Sequence, residues 1–116
     1  MSIRLQWTER ADKHYKALKS QAEAAAAGRE SKGQTKSSKA EGLFKQVNKA
    51  LKLLKENPKH PGLNSHEYSS LVHPYDKNQK VLESYIQNHT PGAYRLFWCY
   101  GPIAGTITII AITPHP

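Results

Sequence analysis

The 116-residue chain carries one cysteine, Cys99, so no disulfide can form within it, as suits a reducing compartment. A thiol needs access and a polarising neighbour to react. Cys99 lies inside the aromatic run Phe97-Trp98-Cys99-Tyr100, which points to a small buried hydrophobe. Long apolar runs are also missing. The longest, Ile103 to Ile112, is interrupted by Gly105 and by threonines and is too short to span a bilayer. Met1 to Trp7 contain no apolar core of a signal peptide. These absences predict a cytoplasmic protein with no membrane partner. The six histidines are not spaced as metal ligands and have no cysteine support, so neither a metal nor another cofactor is expected.

Acidic side chains are scarce. Nine Asp and Glu stand against 17 Lys and Arg, a formal net charge of +8. The excess belongs to the first half: residues 1–60 hold 14 basic and 6 acidic side chains, and residues 61–116 hold three of each. A one-sided positive field attracts polyanions, nucleic acid foremost. The alternative is a solvated lysine face that serves solubility.

What is present reads as an α+β domain. Ile3, Leu5 and Trp7 alternate with Arg4 and Gln6, a short strand. Thr8 suits a helix N-cap, with Glu9 and Asp12 in the first turn. Ala11, Tyr15, Leu18, Ala22 and Ala25 follow at helical spacing, and Gly28 is the expected stop. Residues 29–37 are polar and predict a flexible link between two helices. Ser38 and Glu41 match a capping box, opening a second helix that Pro58 ends. On that helix Leu43, Val47, Ala50, Leu51 and Leu54 share one face. Lys45, Lys49, Lys52, Lys55 and Lys59 share the opposite one. Beyond it come a possible edge strand within 63–71, a turn at His73 to Asp76, a strand over 81–87 and a hairpin loop over 88–92. Strands over 94–100 and 106–113 follow. The expected architecture is an N-terminal strand and a two-helix hairpin packed on an antiparallel sheet of three to four strands, one domain over residues 1–116.

Three stretches carry a family resemblance: Val47 to Leu63, Tyr94-Arg95-Leu96-Phe97-Trp98, and Ile107 to His115 with its closing Pro114-His115. In order and spacing they resemble the second helix and following loop, the central strand and the last strand of the RelE/ParE superfamily of bacterial toxins. The resemblance implies the toxin of a toxin–antitoxin pair: a ribosome-dependent, metal-independent endoribonuclease that cleaves mRNA, with a cognate antitoxin, the ribosome and mRNA as partners. It also leaves open a non-nucleolytic binding protein of the same fold, of the gyrase-inhibitor kind or an inactive orphan.

Metal-free RNA cleavage needs a base for the 2′-hydroxyl, an acid for the leaving 5′-oxygen and a cation for the phosphate. Arg95 offers a bidentate fork, with an ion pair to Glu83 across the hairpin as the alternative. A histidine titrates near neutrality, so His115 and His66 are the candidate acid and base, and Glu67 is a further candidate base. By resemblance, Arg95 matches the family's strand arginine and His115 its C-terminal histidine. The lysine row from Lys45 to Lys59, with His60, matches the RNA-binding surface. His73 and His89, in loops beside prolines, are read as structural, and His60 admits the same reading. Arg95 and His115 are expected to converge at a groove flanked by the cations of the second helix.

Overall fold

The computed structural model describes residues 3–33, 38–87 and 92–115. Strand β1 (Arg4–Trp7) leads into helix α1 (Glu9–Ser31) and helix α2 (Lys39–Glu56). A 3-10 turn at Pro61–Leu63 precedes β2 (His66–Glu67), β3 (Leu82–Tyr85), β4 (Tyr94–Tyr100) and β5 (Thr106–Pro114).

Both helix starts form as their residue types dictate. The Thr8 hydroxyl accepts from the Ala11 N–H at 3.0 Å. Ser38 and Glu41 exchange side-chain and backbone hydrogen bonds in a complete capping box. On α2, Val47, Ala50, Leu51 and Leu54 are buried, and each of the larger three contributes about 1.5–3 kcal/mol of apolar burial. They pack with Leu96, Trp98, Ile107, Ile109 and Ile112 of the sheet. Rings tie the first three elements together: Trp7 meets Tyr15, and Tyr15 meets Phe44, each with centroids 5.3 Å apart.

Two expectations are corrected. Helix α1 does not stop at Gly28 but runs to Ser31. A glycine inside a helix costs only about 1 kcal/mol, and the last turn is held from outside. The Arg29 Nε and an Nη donate to the two carboxylate oxygens of Glu41 on α2, at 3.0 and 2.9 Å. The stop comes at Gly33, whose φ of +68° is a left-handed conformation that suits glycine. Residues 29–31 of the expected link are therefore helical, and 34–37 lie outside the described residues, as do 88–91 of the expected hairpin loop and with them His89.

The sheet has five strands in the order β1-β5-β4-β3-β2, one more than expected, and it is mixed. β1 runs parallel to β5, pairing Arg4 with Thr106 and Trp7 with Ile109; the other pairs are antiparallel. The β-branched β5, buried from Thr106 to Ile112, lies between two strands, and β1 supplies its second neighbour. Just beyond β1, the His14 Nδ1 takes the place of a backbone carbonyl and accepts from the Ile112 N–H at 3.1 Å.

The helices cover one face of the sheet. On the other, Tyr68, Leu71 and Val81 pack on Phe97, Cys99, Ile110 and Ala111. Buried His73 pins this covering segment. Its Nδ1 accepts from the Tyr75 and Asp76 N–H groups, and its Nε2 donates to the Tyr100 carbonyl, which supports the structural reading of this histidine. Cys99 is fully buried, and burial pushes its thiol up to about 11, an inert cysteine.

Candidate active site

Strand alternation sorts the site. In β3 and β4, Glu83 stands opposite Phe97 and Tyr85 opposite Arg95, all on the face away from the helices. On β2, His66 stands opposite Glu83. Beyond β5 the His115 N–H donates to the Ala93 carbonyl at 2.8 Å, and the His115 ring reaches over the same face.

These three meet. Glu83 is only 1% exposed, and each of its carboxylate oxygens is taken by one histidine. Oε1 lies 2.6 Å from the His66 Nε2 and Oε2 lies 2.5 Å from the His115 Nδ1. The His66 Nδ1 lies 3.0 Å from the Asn64 carbonyl. A carbonyl only accepts, so this nitrogen carries a proton, and both nitrogens of His66 are committed. His115 differs. Its Nδ1 is committed to Glu83, while its side chain is 47% exposed and no hydrogen bond meets its Nε2 among the described residues. A histidine with one nitrogen held by a buried carboxylate and the other turned outward has the arrangement of a general base or acid. Tyr68 stands edge-on to His115 at 6.4 Å and packs on Phe97 at 4.8 Å. Tyr85 stands edge-on to His66 at 6.1 Å.

The other candidates are placed differently. Arg95 shares this face but is 3% exposed. Its Nη1 donates to the carbonyls of Gln87 and Tyr94 at 3.0 and 3.1 Å, and its guanidinium lies 3.9 Å over the Tyr85 ring, a cation–π contact. It does not pair with Glu83: the register puts Glu83 two pairs further along, against Phe97, where the two histidines claim it. Arg95 is a support beneath Tyr85. Glu67 parts from its neighbour His66 because successive strand residues point to opposite sides, and it is exposed in an ion pair with Lys80 at 2.7 Å.

Lys45, Lys49, Lys52, Lys55 and Lys59 are all exposed. Those on α2 lie on the helix side of the sheet. Lys49 lines a cleft with Asn64, Tyr85 and Gln87, residues that also contact His66 or Arg95. His60 caps the 3-10 turn, its Nδ1 accepting from the Gly62 N–H at 2.9 Å. No group of three or more His, Cys, Asp or Glu that could hold a metal ion occurs among the described residues. No described helix is long and apolar enough to cross a membrane.

Solved structures match the fold over nearly the whole chain. A YoeB/ParE toxin from Agrobacterium tumefaciens superposes with a TM-score of 0.60 at 10% identity, covering 98% of this chain and all of that one. The fold is that of the RelE/ParE toxins. YoeB from Staphylococcus aureus, solved as a dimer, gives a TM-score of 0.60 at 14% identity, with 98% of each chain covered. RelE from a RelE–RelB complex of Pyrococcus horikoshii gives 0.55 at 15% identity, over 98% of this chain and 96% of that one. No family model and no curated protein sequence matches the chain. The RelE/ParE likeness is therefore one of backbone architecture.

Glu83 is the member of the site that sequence reasoning missed, having treated it only as a partner for Arg95. Its signal was a carboxylate inside the strand expected over 81–87, flanked by Leu82 and Ser84. Such a group must find donors when buried, and two histidines were available.

Proposed function

We propose that this protein is the toxin of a toxin–antitoxin pair and that it cleaves mRNA on the ribosome without a metal, using His115 to move the proton. The observation that carries the reading is the buried Glu83 carboxylate on the His115 Nδ1, with the imidazole half exposed. In the reaction the Nε2 takes the proton of a ribose 2′-hydroxyl. The 2′-oxygen attacks the adjacent phosphorus and the bond from phosphorus to the 5′-oxygen breaks. The same nitrogen returns the proton to the departing 5′-oxygen, leaving a 2′,3′-cyclic phosphate and a 5′-hydroxyl. Glu83 fixes the ring and stabilises the imidazolium formed between the two transfers. His66, with both nitrogens engaged, holds Glu83 in place. The likeness to RelE from a RelE–RelB complex supports a cognate antitoxin as partner, and the exposed lysines suit ribosomal RNA.

Inducing the protein in bacteria is expected to arrest growth and to create new RNA 5′ ends inside coding regions. Proton transfer of this kind contributes about 10²–10⁴-fold, so His115→Ala is expected to lower cleavage at least about 100-fold. One observation favours a second reading, a non-nucleolytic protein of the gyrase-inhibitor kind or an inactive orphan: Arg95 is spent on two carbonyls and Tyr85. That reading predicts arrest with intact messages, or no arrest.

A further inference from the structure

A second groove, away from His115, is built from β4 and the turn after α2. Tyr100 ends β4 with 50% of its surface exposed. Its ring stands edge-on to Trp98, centroids 5.1 Å apart at 76°. Trp98 is itself locked, its Nε1 donating to the Ser84 hydroxyl at 2.7 Å, and the Tyr100 carbonyl is held by His73. The tyrosine is thus an exposed aromatic surface on a fixed base. Facing it across about 440 Å³ of open space are Lys59, His60 and Pro61, with Asn64 and Ser65 at the floor. The Lys59 N–H is fixed by the Asn57 side chain at 3.0 Å, and His60 is oriented by the Gly62 N–H. No carboxylate lines the groove. The groove and the candidate active site share Asn64, whose carbonyl binds the His66 Nδ1.

We propose that this groove binds one unpaired nucleobase of an RNA strand, stacked on Tyr100, with Lys59 on an adjoining phosphate. A base offers a flat π-face whatever its identity, and a rigid exposed aromatic beside a cation is what single-stranded nucleic acid uses. An apolar peptide would bury Lys59 and the polar floor without partners. This inference rests on the RNA reading given above and adds a subsite to it.

The test is fluorescence anisotropy with the full chain and a labelled, unstructured ten-nucleotide RNA carrying 2′-O-methyl groups, which lacks the nucleophile and stays intact. Tyr100→Ala is expected to weaken binding roughly tenfold or more, while Tyr100→Phe stays within about twofold. Lys59→Gln is expected to lower the slope of log affinity against log salt by about 1. An abasic strand of the same length is expected to bind the parent more weakly and to be indifferent to Tyr100→Ala. A parent that binds while Tyr100→Ala binds equally well overturns the subsite alone. A parent with no salt-sensitive binding also overturns the subsite, whereas the RNA reading itself falls only if mRNA on ribosomes stays uncut.

Discussion

The Glu83 cluster makes an asymmetric prediction about stability. The Glu83 side chain is 2% exposed, while those of His66 and His115 are 48% and 47% exposed. Removing the carboxylate, as in Glu83→Leu, leaves two rings that water can reach, and a leucine that sits among Phe97 and its apolar neighbours. Buried ionic groups replaced by apolar ones of similar size are often neutral or better, so the cost is expected to stay below about 1.5 kcal/mol. Removing one histidine deletes one hydrogen bond to a charged group, about 1.5–3 kcal/mol. Removing both, in His66→Ala/His115→Ala, strands the carboxylate and is expected to cost about 3–5 kcal/mol. Urea denaturation at pH 7 followed by far-UV circular dichroism reads all four variants. Glu83→Leu should be the most stable of them and, with His115 no longer oriented, as poor a nuclease as His115→Ala. A Glu83→Leu protein less stable than the double histidine variant would refute the reasoning.

Three further predictions concern titration and reactivity. Burial, and then the charge of Arg10, lower the pKa of His14, whose Nδ1 must stay unprotonated to accept from Ile112. The folded state therefore binds this proton less readily than the unfolded chain, so stability is full above about pH 6.5 and falls as the pH drops below it; His14→Gln should flatten that part of a Tm-against-pH curve. The Arg29 hydrogen bonds, then the Ser38 N–H, hold Glu41 down at about 2 against an ordinary 4.5. Its contribution is present above the ordinary value and lost as pH falls from there towards 2, and Glu41→Gln should remove that acid-side slope. Cys99 should react with a thiol reagent only as fast as the protein unfolds, so that rate should rise with denaturant in step with unfolding.

The helical half of the fold was legible because its determinants are local. Thr8, Ser38 with Glu41, Pro58 and the apolar row of α2 each act within a turn or two of chain. The overrun of α1 was not, because Arg29 is held by Glu41 from another helix. The β4 span was readable from its composition. The parallel β1–β5 pairing was not, since it joins residues about a hundred positions apart. In the candidate site, His66 and His115 were visible as titratable types, and the structure brings them together. Arg95 and Glu67 were chosen by the same reasoning, and the structure places them apart from that pair. Two register positions separate Arg95 from Glu83, and one residue of alternation separates Glu67 from the site face. Glu83 emerges only once β2, β3 and the C-terminal segment are set side by side.

The chemistry of the RNA ends tests the central claim most directly. Purified protein, ribosomes and a defined message should yield fragments with 2′,3′-cyclic phosphates upstream of the cut and 5′-hydroxyls downstream, and His115→Ala should yield almost none. Intact message, or fragments ending in 3′-hydroxyls, would contradict the account.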